Sequence, residues 1–324
     1  MSTPATLTSV LDAGGAELSE ALAATEARLA EIAGGHGQVL AEHAGGTLAA
    51  GGKRLRPVLV VLCGGAGERL VSAAAAVELL HMATLVHDDV LDAARLRRGV
   101  PTVYATGGRG AATATGDLLF SRAFAELAST GSRPAVEALS GASSALARGE
   151  LMQRADAWSS SVSEQRYLER CELKTASLFA AACRLGAVLG DSPAAADALA
   201  GFGRSIGLAF QILDDVLDVS GPAERTGKHR GTDLLDGTIT LPMIIARERD
   251  RELAGMDLRS VVTEPAQADA VCDRIALTGA LGESRERALR HVAEAKAALT
   301  GLGLDGRRLH ALQLVADGVV ERYA

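Results

Sequence analysis

The chain has 324 residues and carries 33 lysines and arginines against 40 aspartates and glutamates, a formal net charge of −7. Aromatic residues make up only 3% of this mildly acidic chain, so it lacks the basic surface and stacking side chains of a nucleic-acid-binding module. Hydrophobic residues make up 48%, too many for a disordered chain, and the abundance of alanine and leucine favours helix.

Helical periodicity recurs from one end of the chain to the other, interrupted by glycine, proline and serine clusters. The predicted helices span residues 15–33, 37–50, 57–63, 71–96, 111–129, 133–156, 163–189, 195–219, 238–250, 264–276, 283–300 and 306–322. No stretch alternates with period two, so strands are expected to be negligible. Because no linker divides the chain, we predict a single all-helical domain over residues 1–324, with a long charged loop from Ser220 to Gly237.

Cysteine spacing and the absence of targeting signals bear on the compartment. The cysteines show no CxxC pattern and are expected to be buried thiols in a reducing compartment; they are Cys63, Cys171, Cys183 and Cys272. The first 30 residues contain no apolar signal-peptide core, and no uncharged apolar run reaches the ~18–20 residues of a membrane span. We therefore expect a soluble, cytoplasmic protein without a transmembrane segment.

The pentapeptide DDVLD occurs twice, each time after a helix-length apolar run, at residues 88–92 and 214–218. Residues four apart share a helix face, so each copy presents two carboxylates one turn apart. Such carboxylates repel each other unless a positive group offsets them. One copy alone would be an ordinary acidic cluster facing water at a helix end, whereas two identical copies indicate a function.

The ligand chemistry of the repeated motif points to a hard metal ion. Carboxylates without cysteine or histidine favour Mg²⁺ or Mn²⁺ over Zn²⁺, and Mg²⁺ shares its coordination positions with substrate phosphates. Two clusters facing each other across a cavity would hold a diphosphate through bridging metal ions. Basic residues in GGKRLRP (51–57), RLRRG (95–99), ELKTASLF (172–179) and KHR (228–230) are singly ordinary surface charges. Together they indicate two anion pockets.

These motifs, in their order along nearly the whole chain, resemble those of the trans-isoprenyl diphosphate synthases, the polyprenyl synthetase family. They are GGKRLRP, HDDVLD followed by RLRRGVPT, GDLLFSRAF, KTASLF, FQILDDVLD and GKHRGTDLLDGTITLP. The resemblance is greatest to bacterial long-chain polyprenyl diphosphate synthases. It implies an all-α fold, a single large bundle of long helices around a deep central cavity, with the aspartate motifs on opposite walls.

The resemblance implies a prenyltransferase that condenses isopentenyl diphosphate head-to-tail with geranyl, farnesyl or geranylgeranyl diphosphate. The implied metal is Mg²⁺, with Mn²⁺ as the alternative, held by Asp88, Asp92 and Asp214. The implied catalytic residues are these three with Asp89, Asp215 and Lys174. The allylic diphosphate would contact Arg97, Lys174, Thr175, Gln211 and Lys228, and isopentenyl diphosphate would contact Lys53, Arg56, His81 and Arg98.

Product length is implied to depend on the two residues five and four positions before Asp88, which are Ala83 and Thr84. Short-chain members of the family carry an aromatic residue at one or both positions. Both residues are small here, so we expect a product longer than geranylgeranyl diphosphate. The alternative is a geranylgeranyl diphosphate synthase, in which bulky residues elsewhere close the tunnel first; the candidates are Phe120, Phe124 and Met152.

Two positions depart from the family pattern, and other readings stay open. Thr238 and Val100 stand where the family commonly has lysine, and the first change is expected to remove one phosphate contact. A non-catalytic subunit would lack aspartates from one motif, and a terpene cyclase would line its cavity with aromatic residues. The family is usually homodimeric, but a catalytic subunit of a heteromeric polyprenyl synthase remains an alternative.

Overall fold

The computed structural model describes residues 5–49, 51–97, 99–221 and 229–321. The first helices are α1 (Ala5–Gly34), α2 (Gln38–Ala49), α3 (Leu55–Gly64) and α4 (Glu68–Leu91). A hairpin of β1 (Leu96–Arg97) and β2 (Val100–Pro101) precedes α5 (Val103–Ala128), α6 (Arg133–Asp156) and α7 (Glu164–Cys171). A π-helical turn (Glu172–Ala176) leads into α8 (Ser177–Leu189), and a 3₁₀ turn (Pro193–Ala195) into α9 (Ala196–Ser220).

The remaining helices are shorter on average and lie towards the carboxyl end of the chain. They are α10 (Thr232–Leu235), α11 (Leu241–Arg249), α12 (Arg251–Gly255), α13 (Leu258–Val261), α14 (Pro265–Leu277), α15 (Ala280–Ala298) and α16 (Gly306–Glu321). The all-α prediction is confirmed, since the described residues contain only two strands of two residues each. The helix predicted over residues 133–156 has those bounds.

Three of the differences from the sequence prediction have local reasons. The helix predicted to reach Leu96 ends at Leu91, because Ala93 has a positive φ of 50°. The single helix predicted over 163–189 contains the π-helical turn. The predicted loop 220–237 contains the short helix α10, which begins at Thr232. The carboxylate of Asp218 accepts hydrogen bonds from the first N–H groups of this helix, those of Thr232 and Asp233, both at 3.2 Å.

The chain divides into two compact units, each built from separate segments. The first comprises Met1–Ser143, Leu178–Gly203 and Gly301–Val315. At its centre every residue of α3 from Pro57 to Gly64 is buried. A Cβ on Gly64 would lie 2.4 Å from the carbonyl oxygen of Gly186, so only glycine lets the backbones of α3 and α8 approach this closely.

The second unit comprises Ser144–Ser177, Arg204–Thr300 and Ala316–Ala324. Its core contains Tyr167 of α7, which is fully buried. Buried Arg170, one turn further along α7, donates a hydrogen bond of 2.5 Å to the carbonyl oxygen of Ile239 and so ties α7 to the segment before α11. The prediction of one domain concerns the whole chain and stays a prediction.

Two expectations about burial can be compared with the structure. All four cysteines are free and buried, as predicted. Among the described residues one helix, α4, is long and apolar enough to cross a membrane, although no such segment was expected. However, 67% of its apolar stretch is buried, and the stretch contains Glu78, which pairs with Arg54 at 2.7 Å. These are the properties of a core helix.

Candidate active site

The first aspartate motif lies at the carboxyl end of α4. Asp88 and Asp89 occupy its last turn, and Asp92 caps it with its backbone N–H bonded to the carbonyl oxygen of Asp88 at 2.9 Å. Asp88 is half-buried, Asp89 is buried and Asp92 is exposed. The three carboxylates therefore stand at the negative pole of the helix dipole, in a last turn that contains no basic residue.

The second motif lies within the last two turns of α9, ending two residues before Ser220, and the last turn of this helix also contains no basic residue. Asp214 is exposed, Asp215 is buried and Asp218 is half-buried. Since Asp218 accepts the N–H groups at the start of α10, its carboxylate has a structural use in the chain.

In both copies of the pentapeptide the second aspartate is only 4% exposed and bonds to protein partners. Asp89 accepts from the Arg97 guanidinium, with Nε at 2.9 Å and Nη2 at 2.8 Å. Asp215 accepts from the hydroxyl of Tyr167 at 2.6 Å and from the amide nitrogen of Gln211 at 2.7 Å. Burial, together with nearby Asp233, raises the pKa of the Asp215 carboxyl well above its usual value, against the two hydrogen bonds. The buried second aspartate thus has different hydrogen-bond partners in the two motifs.

The donor set fits a divalent cation. Carboxylates at the negative pole of a helix are destabilising unless a positive charge offsets them, and carboxylate oxygens are the ligands that Mg²⁺ prefers. Asp88, Asp92 and Asp214, the predicted metal ligands, all retain solvent-accessible surface. Within the described residues no three acidic, histidine or cysteine side chains converge closely enough to hold a metal ion by themselves. Each of the two motifs therefore suits a cation that takes its other ligands from water and a bound anion.

Lys174 lies on the π-helical turn, a distortion that is frequent at functional sites. Its ammonium donates to Glu150 at 2.5 Å and to Gln153 at 3.2 Å, both on α6. Burial acts to raise the pKa of the Glu150 carboxyl, but Lys174 and Arg154 outweigh it and hold that pKa below its usual value. The carboxylate is therefore charged and fixes the direction of the lysine.

The next residue of the turn connects to the second motif. The hydroxyl of Thr175 donates to the side-chain oxygen of Gln211 at 2.6 Å, and Gln211 in turn donates to Asp215. A Cβ on Gly207 would lie 2.5 Å from the Cα of Ala176, so α9 is pressed against the π-helical turn. The structure thus brings together Lys174, Thr175, Gln211 and Asp215, which the sequence analysis assigned to one site.

The three cations of GGKRLRP have different environments. Arg54 ion-pairs with Glu26 at 2.5 Å and Glu78 at 2.7 Å, and its φ of 47° is unusual for a non-glycine residue. Lys53 is exposed. The guanidinium of half-buried Arg56 lies 4.4 Å from the ring centroid of Phe179, and burial lowers its pKa to about 10.

Arg56 also has a buried Nε for which the described residues provide no hydrogen-bond acceptor. A charged donor left this way suits an anion that arrives from solution. His81, assigned to the same isopentenyl diphosphate site, is half-buried on α4. Arg98 and Lys228, the other two basic residues assigned to phosphates, lie outside the described residues.

The predicted chain-length residues differ in accessibility. Thr84 is half-buried and, one turn before Asp88, lies on the same face of α4. Its hydroxyl donates to the carbonyl oxygen of His81 at 2.8 Å. Ala83 is fully buried. The rings of Phe120 and Phe124 on α5 pack against each other at 5.2 Å.

Two further residues hold the site together, Tyr167 and Glu150, and neither was predicted from the sequence. Tyr167 precedes Thr175 by two helical turns and is one of only three tyrosines in the chain, which is a weak signal. Nothing in the local sequence distinguishes Glu150 from the other acidic residues of α6. Both were invisible because their partners are distant in sequence, 48 residues for Tyr167 and 24 for Glu150.

Comparison with known proteins identifies the family. The polyprenyl synthetase family profile matches residues 38–276. The chain belongs to the polyprenyl synthetase family. It is therefore a prenyltransferase of isoprenoid biosynthesis that acts on prenyl diphosphates.

The chain is similar to both long-chain and shorter-chain members of the family. Component 2 of heptaprenyl diphosphate synthase from Geobacillus stearothermophilus is 39% identical over 296 residues, 90% of this chain and 92% of that protein. Geranylgeranyl diphosphate synthase from Methanosarcina mazei is 37% identical, over 84% of this chain and 86% of that one.

A solved structure confirms the fold. The crystal structure of polyprenyl synthase from Caulobacter crescentus, complexed with calcium and isoprenyl diphosphate, matches with a TM-score of 0.90 at 35% identity. The match covers 97% of this chain and 98% of that one. Polyprenyl synthetases share this all-α isoprenoid synthase fold.

Proposed function

We propose that this chain condenses isopentenyl diphosphate with an allylic diphosphate to give a trans-polyprenyl diphosphate longer than geranylgeranyl diphosphate. The observation that carries the proposal is the place of the two DDVLD motifs, each towards the negative pole of a long helix with its second aspartate buried and hydrogen-bonded within the protein. Such poles attract divalent cations, and Mg²⁺ bound there would neutralise the departing diphosphate.

The chain's own residues bind and orient the two substrates. Lys174, held by Glu150 and Gln153, is positioned to bind the allylic diphosphate together with Thr175 and Gln211. Cations in such a site stabilise the negative charge that develops as the allylic carbon–oxygen bond breaks. Arg97 is assigned to the same diphosphate and would be aligned by its ion pair with Asp89.

Isopentenyl diphosphate would bind separately, at Lys53, Arg56, His81 and Arg98. Its double bond attacks the allylic carbocation, a carbon–carbon bond forms, and a proton passes to the released diphosphate. Apolar walls exclude water, which would otherwise quench the cation. The buried, unsatisfied Nε of Arg56 supports an anion site at this position.

The product, the assembly and the compartment complete the proposal. The small side chains of Ala83 and Thr84 support a product beyond the C20 stage. We propose a cytoplasmic homodimer that uses Mg²⁺. The likeness to a heptaprenyl synthase component also supports an alternative, a catalytic subunit that needs a second protein. The calcium of the Caulobacter complex supports a divalent metal ion in this chain as well.

The test is an incubation of the purified protein with isopentenyl diphosphate, farnesyl diphosphate and Mg²⁺, with mass analysis of the dephosphorylated products. A ladder beyond geranylgeraniol is expected, and none should form with EDTA or with the Asp88→Asn variant. A stop at geranylgeraniol would contradict the proposed product length and leave the reaction class intact. Failure of a folded protein to elongate any primer would favour the two-component alternative.

A further inference from the structure

Tyr167 makes a contact that packing alone does not require. Its side chain is fully buried in the second unit, where a phenylalanine would fill nearly the same volume. Its hydroxyl nevertheless lies 2.6 Å from Oδ2 of Asp215, on another helix. A hydrogen bond to a buried carboxylate is short and strong, and it restricts the carboxylate to one rotamer.

The bond to Asp215 begins a chain of hydrogen bonds with a defined direction. The hydroxyl of Tyr167 donates to Oδ2 of Asp215, and the side-chain amide of Gln211 donates to Oδ1. This turns the NH₂ group of Gln211 towards Asp215 and its oxygen towards Thr175, whose hydroxyl donates at 2.6 Å. The orientation of each side chain in this series of hydrogen bonds is thereby fixed by the side chain before it.

The ring of Tyr167 is itself held in place. The guanidinium of Arg170 lies 5.5 Å from the ring centroid, within the range of a cation–π contact. Arg170 also binds the carbonyl oxygen of Ile239, so the ring cannot turn without disturbing the segment before α11. Tyr167 is therefore a rigid support at the start of the hydrogen-bond chain.

We propose that Tyr167 is a positioning residue of the allylic diphosphate site, which aligns Gln211 and Thr175 through Asp215. It does not touch the substrate in this scheme. Its hydroxyl keeps the Gln211 amide in one orientation, so that Gln211 presents its second N–H to the diphosphate while the Thr175 hydroxyl holds the Gln211 oxygen in place. The inference rests on the proposed function, because Gln211 and Thr175 are assigned to the allylic diphosphate there.

The test is the Tyr167→Phe variant, compared with the wild type in steady-state kinetics and in binding. We expect the KM for farnesyl diphosphate to rise about tenfold, the effect of misaligning the one hydrogen bond that Gln211 would donate to the diphosphate. The KM for isopentenyl diphosphate should stay within about twofold of the wild-type value, because its proposed site does not include these hydrogen-bonded residues. Binding of inorganic diphosphate with Mg²⁺, measured by calorimetry, should weaken by a similar factor of about ten.

Matched variants separate positioning from a general loss of stability. Tyr104→Phe removes the hydroxyl of a half-buried tyrosine in α5, far in sequence from the residues of this hydrogen-bond series, and should leave both KM values unchanged. Tyr167→His keeps a ring and a donor and should restore part of the affinity. In the double variant Tyr167→Phe/Asp215→Asn the effects should not add, since Tyr167 acts through Asp215.

A lower melting temperature of Tyr167→Phe with both KM values and diphosphate binding unchanged would overturn the inference, and so would an equal rise in both KM values. If Tyr167→Phe does not fold, Asp215→Asn tests the same series of hydrogen bonds, because its amide reverses one of them without altering the tyrosine. A selective rise in the farnesyl diphosphate KM would then support the inference. The calorimetric result is independent of turnover, so it distinguishes this inference from failure of the proposed elongation activity.

Discussion

A Cβ atom on Gly149 of α6 would lie 2.7 Å from the backbone nitrogen of Lys174. Only a glycine lets α6 approach the π-helical turn this closely, and the approach places Glu150 beside the lysine ammonium. The position of Lys174 thus depends on a residue with no side chain.

Gly149→Ala is therefore expected to displace Lys174 and reduce kcat/KM for the allylic substrate by about ten- to a hundredfold, since small misplacements of a binding group are costly. Gly141→Ala, on the same helix, is the control, because nothing lies within 4 Å of its Cβ position. It should keep full activity and gain up to about 1 kcal/mol in the free energy of unfolding. Wild-type kinetics in Gly149→Ala would contradict the role of this contact.

The Glu150 ion pair predicts a dependence of stability on pH. Lys174 and Arg154 overcome burial and depress the pKa of Glu150, so its carboxylate stabilises the folded state above the unfolded-state pKa of about 4.3. This contribution is lost as the pH falls through the depressed value. Glu150→Gln should therefore melt below the wild type at pH 6 to 8, and the gap should close under pH 4.3. A gap that is constant from pH 3 to pH 8 would refute this account.

Opposite ends of α9 should respond oppositely to the loss of a carboxylate. Asp214 lies six residues before the end of α9 and one turn before Asp218, whereas Asp197 lies in the first turn and pairs with Arg184 at 2.6 Å. In the absence of ligand, the dipole and the repulsion from Asp218 should together let Asp214→Asn stabilise the protein by up to about 0.5 kcal/mol. Asp197→Asn should destabilise it by about 0.3–1 kcal/mol, through the dipole and the lost ion pair.

Activity should follow the reverse order, since Asp214 is a proposed metal ligand. Asp214→Asn should lose elongation and the increase in melting temperature that Mg²⁺ with diphosphate gives the wild type, while Asp197→Asn keeps both. Equal melting temperatures of Asp214→Asn and the wild type without ligand would show that the dipole argument is wrong.

The arginines of GGKRLRP should separate stability from binding. Arg54→Gln leaves Glu78, with a 5% exposed side chain, without its ion-pair partner. The expected loss is about 3–5 kcal/mol in the free energy of unfolding, with an unchanged KM for isopentenyl diphosphate in the folded enzyme. Arg56→Gln should raise that KM at a smaller cost in stability. Denaturant unfolding and steady-state kinetics on both variants check this, and the opposite assignment would reverse both results.

Thr84 and Ala83 offer two ways to shorten the product. Thr84→Phe adds its ring on the Asp88 face of α4, where the side chain is half-buried, and should shift the product ladder towards C20 or below. Ala83→Phe adds a ring at a fully buried position and should also destabilise the protein by about 1–3 kcal/mol through overpacking. Product mass and melting temperature distinguish the two. An unchanged ladder in Thr84→Phe would place the end of the tunnel elsewhere.

Helix content, motif order and family were predictable because each depends on local pattern. The spacing of apolar residues predicted helices close to those observed, and 133–156 has the observed bounds. The error at the end of α4 arose because the helix stops at its own carboxylates, where Asp92 caps it and the chain turns into the β1–β2 hairpin. Apolar periodicity carries no information about such a stop.

The two DDVLD copies show most clearly where local pattern ends. As sequences they are identical, and from them one can infer paired carboxylates and a cation. In the structure Asp89 forms an ion pair with Arg97, eight residues later, and Asp215 accepts a hydrogen bond from Tyr167, 48 residues earlier. Which partner approaches a buried carboxylate depends on how helices distant in the chain pack together. Ion pairs and hydrogen bonds act over only a few ångströms, so tertiary packing alone decides them.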